Sequence, residues 1–484
     1  MKQLFIGIDL GTGGIKVEVY DIDGNILAVG KGSISRQSAA EWFKALKEAI
    51  PDIVKRCTDC EKHVSVTSTS GTVLGVDIYG NILYGPSMYY ERDEKAFEEV
   101  KNLPSIAKLG KKGVKVDPTS PIVKMYRLKK DKPDLYNKIR WFISPTTFML
   151  YSLLYESENP WGEVYTDYTN ALKFGLDITC TPPKWFEDVF HELGLDVEKL
   201  PNLAAVGEYI GIARSKFSEE VGLKGAHLYQ GLTDGNAAAI AGGAVDIGDI
   251  SIYTGSTTVP KVVVENIQEH PALYYHVHPI RGYLAGSASG FTGAFLLWFA
   301  EKVLGLNLDS VAEHLEKIPP GTEYLIFPYG DRAPHYDSLL TPAILDLKIS
   351  EEPRELIAGR FIRSIMLGIT LLENYYVELF EELFKLKTEN IHVTGGGTKS
   401  KIWNKIRAAV YEKKVFIYGE LVGSGIVVPL MIKNKFFTSI EEVKQKFIKP
   451  LEVIEPDPSW IEIYRKYREV FASRWLKLKE LYRS

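Results

Sequence analysis

Cysteine is scarce in this chain: Cys57, Cys60 and Cys180 are the only thiols among 484 residues, too few for a disulfide framework. Cys57 and Cys60 form a CxxC with His63 close by, but a single further thiol leaves that set short of the usual four ligands of structural zinc. Long apolar runs are missing as well. No stretch approaches the ~20 residues that a membrane helix needs, and the N-terminus lacks a charged segment followed by an apolar core. The expectation is therefore a cytoplasmic protein without membrane partners. An excess of positive charge is also absent: the formal net charge is −4, which leaves no electrostatic footprint for nucleic acid. Glutamine is rare against many Lys and Glu, as in proteins of warm-growing sources.

What remains is an ordinary globular composition, 45% hydrophobic and 25% charged, on a chain too long for one core, so at least two domains are expected. The opening stretch FIGIDLGTGGIKVEVYDIDGNIL, residues 5–27, places four glycines and Asp9 between two apolar runs. After the glycines, Ile15, Val17 and Val19 alternate with Lys16, Glu18 and Tyr20, the period of a strand. A Walker loop or a dinucleotide fingerprint would need a helix at this point. The glycines are thus read as the tip of a β-hairpin, either an ordinary turn or one whose amides face a phosphate, with Asp9 placed to orient a hydrated Mg²⁺.

The same pattern recurs. Residues 64–85 read as three strands separated by two turns, and 91–101 and 121–139 as helices; 161–177 is a polar loop leading into a short apolar segment. Residues 226–249 run from strand through an acidic turn at Asp234 into an Ala-rich helix, and a domain boundary is expected near 245. Residues 250–264 then repeat strand, small-residue tip and strand, which suggests internal duplication. At 391–411 a strand, three glycines and a helix follow one another, as in a tight corner or a nucleotide turn. Residues 458–484 read as a long amphipathic helix.

The order of GIDLGT (7–12), GLTDGNAA (231–238), YTGSTT (253–258) and TGGGTKSKIW (394–403) resembles the FGGY family of carbohydrate kinases over nearly the whole chain. STSGTVLGVD (68–77), PSMYYERD (86–93) and TDYTNALKFGLD (166–177) are most similar to its pentulose kinase branch, which acts on D-ribulose or D-xylulose. The resemblance implies an α/β chain of two actin-like, ribonuclease-H-like ATPase domains, 1–245 and 246–484, with the catalytic cleft between them. It also implies ATP and Mg²⁺. Carried onto this sequence, Gly11, Thr12, Gly13 and Lys16 with Gly255, Ser256 and Thr257 would hold the ATP phosphates. Gly396, Gly397 and Lys399 would line the adenosine pocket. Asp9 and Asp234 would serve the metal. Asp234 would be the catalytic base, against the simpler alternative of a helix-capping carboxylate. Thr69, Ser70, Thr72, Tyr89, Glu91 and Asp234 would contact the sugar.

Two departures bear on the acceptor. Related glycerol kinases carry an Arg-Glu pair where this chain has Ser70 and Gly71, and xylulose kinases a Met-His pair where it has Thr72 and Val73. The first departure argues against glycerol and the second against D-xylulose; beside the ketopentose, erythritol, ribitol, L-ribulose and glycerol are kept as alternatives. His276 and His278 read as surface or turn histidines. A rival of another class is an actin-like ATPase, which would need neither Asp234 facing an acceptor nor the polar turns at 68–72 and 89–93. A non-catalytic sugar-binding regulator would be marked by loss of Asp9 or Asp234, and both are present. The expected partner is a small-molecule sugar, with a homodimer left open.

Overall fold

The structure, a computed structural model, describes residues 2–348 and 351–482. It divides into two compact units. One comprises 2–241 with 275–283 and 421–449, the other 242–274 with 284–420 and 450–482.

The first unit is built on a seven-stranded sheet. Strand β1 (Lys2–Leu10) is buried on both faces at Leu4–Ile8, as a near-continuous apolar run dictates for a central strand. It pairs antiparallel with β2 (Gly14–Tyr20), which pairs antiparallel with the edge strand β3 (Ile26–Ser33). On its other side β1 runs parallel to β4 (Cys60–Ser68), with Asp9 opposite Thr67 and Leu10 opposite Ser68. Beyond β4 lie His227–Tyr229 and then Tyr209–Ile212, while Leu232–Thr233 pairs parallel with the end of β4. The glycine loop is thus a hairpin tip, as the alternation after it predicts.

The strands at 64–85 differ from a repeat of that hairpin. β4 belongs to the large sheet, whereas Val73–Val76 sits between Ile82–Ser87 and Trp141–Ile143 in a separate three-stranded sheet. The turn at 69–72 therefore carries the chain from one sheet to the other. Prolines at 121 and 133 open two successive helices, Pro121–Asp131 and Pro133–Lys138, where one pattern over 121–139 was expected. The expected helix over 91–101 is Glu94–Val100. Cys57 and Cys60 are joined as a disulfide at the entry to β4, their Cα atoms 5.6 Å apart. Among the described residues no three His, Cys, Asp or Glu side chains form a metal cluster. Helix Gly423–Lys433, buried on nearly every side, packs on β1 and on helix Asp234–Ala241.

The second unit repeats the logic on its own sheet. Ile250–Thr254 pairs antiparallel with Thr258–Val264 on one side and parallel with Asn390–Thr394 on the other, and Lys414–Ile417 and Glu452–Ile454 follow outward. A 31-residue helix, Arg354–Phe384, and helix Lys401–Tyr411 pack together beside this sheet. All five apolar positions expected to form the stripe of the latter, Ile402, Trp403, Ile406, Ala409 and Val410, are buried. The terminal pattern forms helix Pro458–Leu481, and residues 483 and 484 lie outside the described residues. No helix of the described residues is long and apolar enough to cross a membrane.

Candidate active site

In the first unit the register places the candidate catalytic groups at the carboxyl ends of neighbouring parallel strands, where α/β sheets bind ligands. Asp9 and Leu232 both stand opposite Thr67, one on each side of β4, and Asp234 follows two residues after Leu232 as the first residue of its helix. Burial and the charge of Asp234 push the Asp9 carboxyl up to about 6, with Glu18 adding to the shift and Lys16 opposing it. A buried carboxyl whose ionisation a second carboxylate hinders is an oxygen donor short of positive charge, which fits a hydrated hard cation such as Mg²⁺.

Asp234 Oδ1 accepts from the Gly235 N–H at 2.7 Å. Its strand is fixed from behind by a chain of hydrogen bonds that the sequence did not reveal. The fully buried carboxylate of Asp167 accepts from Thr169 Oγ1 (2.6 Å) and from Asn170 Nδ2 (2.6 Å). Thr169 Oγ1 in turn accepts from the Thr233 N–H at 2.9 Å, and Asn236 Nδ2 donates to Thr233 Oγ1 at 2.7 Å. Burial pushes the Asp167 carboxyl up, its four hydrogen bonds opposing the shift.

At the tip of the first hairpin the Gly11 N–H is spent on the Gly14 carbonyl (2.9 Å). The exposed backbone of Thr12 and Gly13 is what the tip offers to an anion. Lys16 is half-buried and stands opposite Asp9.

The expected sugar-contacting residues gather around the turn at 69–72. Thr69 Oγ1 and Thr72 Oγ1 are 2.8 Å apart, and the Tyr89 N–H donates to Thr72 Oγ1 at 3.2 Å, so the 86–93 segment is tied to that turn. Glu91 is exposed and accepts from Ser87 Oγ at 2.9 Å; Ser70 is half-buried and Tyr89 is exposed. Two lysines that sequence reasoning missed stand beside them. Lys124, buried, donates to the Met88 carbonyl at 2.6 Å and has no carboxylate partner among the described residues. Burial brings its amine down to about 8, the charge of Glu91 opposing the shift and that of Lys173 adding to it. Lys173 lies over Gly71, whose φ of +91° suits glycine: a Cβ there would sit 3.0 Å from Lys173 Cδ and 3.3 Å from its Nζ. Lys173 has no hydrogen bond or ion pair among the described residues.

The two histidines are not on the surface in equal measure. His278 is buried and caps its own turn, accepting from the Arg281 N–H at 3.2 Å. His276 is half-buried, with Nδ1 3.3 Å from Asn236 Nδ2.

The second unit holds a cavity of about 850 Å³. Gly255 and Ser256 of the second hairpin, Gly396, Gly397 and Lys399 line it together with Leu296, Met366 and Trp403. Thr257 is not among the lining residues, though its carbonyl accepts the Gly255 N–H (3.0 Å) and so closes the tip, as in the first hairpin. Lys399 is mostly exposed and pairs with Glu420 at 3.1 Å. The glycine corner is sterically required: Gly395 has a φ of +94°, and a Cβ there would meet the Thr254 carbonyl oxygen at 2.6 Å.

Comparison with known proteins matches residues 4–241 to the N-terminal domain, and 281–427 to the C-terminal domain, of the FGGY family of carbohydrate kinases. A xylulose kinase of Bacillus subtilis is 22% identical over 98% of this chain and 97% of its own. An autoinducer-2 kinase of Escherichia coli K12 is 22% identical over 97% and 93%. The crystal structure of Plasmodium falciparum glycerol kinase with ADP superposes with a TM-score of 0.84 at 19% identity, covering 99% of this chain and 98% of that one.

Proposed function

Since the chain belongs to the FGGY family of carbohydrate kinases, and so is a phosphotransferase with an alcohol acceptor, we propose that it transfers the γ-phosphoryl group of ATP to a hydroxyl of a ketopentose, D-ribulose or D-xylulose. In this reading the residues of 1–245 carry the acceptor, the catalytic base and part of the phosphate binding, and those of 246–484 carry the rest of the ATP site. The observation that supports it best is the placement of Asp9 and Asp234 on either side of the end of β4, Asp234 at a strand end held by Thr169 and Thr233.

Phosphoryl transfer needs an in-line hydroxyl, neutralisation of oxygen charge and a carboxylate to take the proton. The Asp234 carboxylate accepts the acceptor's hydroxyl proton as the new O–P bond forms and the bond to the β-phosphate oxygen breaks, releasing ADP. Backbone at Thr12 and Gly13, and at Ser256 and Thr257, holds phosphate oxygens; Lys16 adds positive charge beside Asp9. Asp9, through water, and Asp234 would hold Mg²⁺, which when bound supplies the charge neutralisation on the phosphate chain. Thr69, Ser70, Thr72, Tyr89 and Glu91 orient the sugar, while Gly396, Gly397 and Lys399 border the adenosine.

Turnover of ATP with D-ribulose, D-xylulose, L-ribulose, ribitol, erythritol, glycerol and autoinducer-2 tests this reading. The expected result is the highest kcat/KM on a ketopentose. A clear preference for glycerol or another polyol would overturn the acceptor assignment, and ATP hydrolysis undiminished without any acceptor would favour an ATPase.

A further inference from the structure

Glu373 and Arg407 are fully buried and lie outside the cavity wall, yet they bind three of the residues that form it. Glu373 sits on helix Arg354–Phe384 and Arg407 on helix Lys401–Tyr411. The pair is bidentate, with Arg407 Nε donating to Glu373 Oε2 at 3.0 Å and Nη2 to Oε1 at 3.2 Å. From the carboxylate, one contact runs to the hairpin: Thr254 Oγ1 donates to Glu373 Oε1 at 2.5 Å. From the guanidinium, another runs to the glycine corner, Nη1 donating to the Gly397 carbonyl at 3.3 Å. A third covers the floor, since the guanidinium stands 4.4 Å over the ring of Trp403. Arg407 also donates to Asn404 Oδ1 (3.1 Å), whose amide donates to the Thr398 carbonyl (2.8 Å), so both ends of the glycine corner are tied.

A buried ion pair stabilises a fold little compared with apolar packing of the same volume; its clearest use is to fix register. Here the register it fixes is between two backbone segments from distant parts of the chain, 254–257 and 396–398. We propose that Glu373 and Arg407 are positioning residues for the nucleotide, holding hairpin and glycine corner at one spacing so that a triphosphate meets preset amides. This rests on the assignment of ATP to the cavity. Prearranged donors cost no reorganisation on binding, so loosening either tie raises the ATP Kd without touching the acceptor.

The test compares variants of the full chain by calorimetric ATP binding with Mg²⁺, by KM for each substrate and by Tm. Thr254→Val keeps the shape and deletes only the tie to the hairpin. It should raise the ATP Kd and KM about tenfold, the scale of one charged hydrogen bond, and leave the sugar KM unchanged. Thr254→Ser should restore the wild-type values. Arg407→Lys, which keeps the charge but loses the fork that spans Glu373 and Gly397, should weaken ATP similarly. Tyr411→Phe deletes a 2.6 Å bond to the same carboxylate that reaches no cavity residue, and should lower Tm with the ATP Kd intact. Unchanged ATP affinity in Thr254→Val, or equal weakening in Tyr411→Phe, would overturn the proposal. Gly255→Val separates the two levels: if it too leaves ATP affinity unchanged, the nucleotide is not in this cavity and the underlying assignment fails.

Discussion

Asp9 and Lys16 face each other directly across the first hairpin, so carboxylate and ammonium share one face of the sheet. The lysine offsets part of the burial and repulsion that hold the Asp9 carboxyl up at about 6. A dication would complete that neutralisation. We therefore expect Asp9→Asn to weaken Mg²⁺-dependent ATP binding by about ten- to a hundredfold, the range for a group that orients a metal through its outer shell. Titration of ATP with and without Mg²⁺ checks this, and equal Mg²⁺ dependence in variant and wild type would remove Asp9 from the metal site.

Asp234→Asn separates the catalytic from the capping reading. Asparagine keeps the size and the acceptor to Gly235 but cannot take a proton, so turnover should fall by about two to four orders of magnitude while binding of both substrates changes far less. A cap would survive the exchange, because Asn caps as well as Asp. Rate, Kd and Tm measured together decide between them.

Lys173 should set acceptor affinity. Its amine, without a partner among the described residues, lies over Gly71 at the turn that carries Thr69 and Thr72. Lys173→Met keeps the aliphatic stem and should raise the sugar KM about tenfold, one charged hydrogen bond's worth, with the ATP KM unchanged. A shift in the ATP KM instead would place this lysine in the nucleotide's field.

His63 gives the fold a pH dependence of definite sign. Burial among Phe5, Tyr229 and Phe436 brings its imidazole from 6.5 down to about 4, the nearby Glu61 opposing the shift and His227 adding to it. The unfolded chain thus binds this proton more readily than the folded one. Its contribution is fully present above pH ~6.5 and is lost as pH falls toward 4. Tm measured from pH 7 to 4.5 should drop more steeply in the wild type than in His63→Gln, and parallel curves would contradict the assignment.

The sequence carried those parts of the site that depend on local pattern. The hairpins at 9–16 and 253–258 are legible because glycines interrupt a period of two. Asp234 is legible because strand residues precede it and alanines follow. The ties that hold these parts were hidden. Thr169 and Thr233, or Glu373 and Thr254, are partners across 64 and 119 residues of chain, and a lone Glu or Arg on a helix gives no sign that its face is buried. The same holds for Lys124 and Lys173, which come to the region of the turn at 69–72 from separate helical segments. Helix Gly423–Lys433 carries Pro429 inside it and is apolar all round, so it shows no amphipathic period from which its packing on β1 could be read.

That helix has a consequence for how the protein is made. Residues 421–449 complete the first unit, yet a ribosome delivers them only after most of the second. Until then the nascent first unit exposes the face of β1 and of helix Asp234–Ala241 that Gly423–Lys433 covers, an apolar surface of the kind that recruits chaperones. Arrest peptides placed along the gene should register the first unit's folding force only once residue 449 has left the exit tunnel.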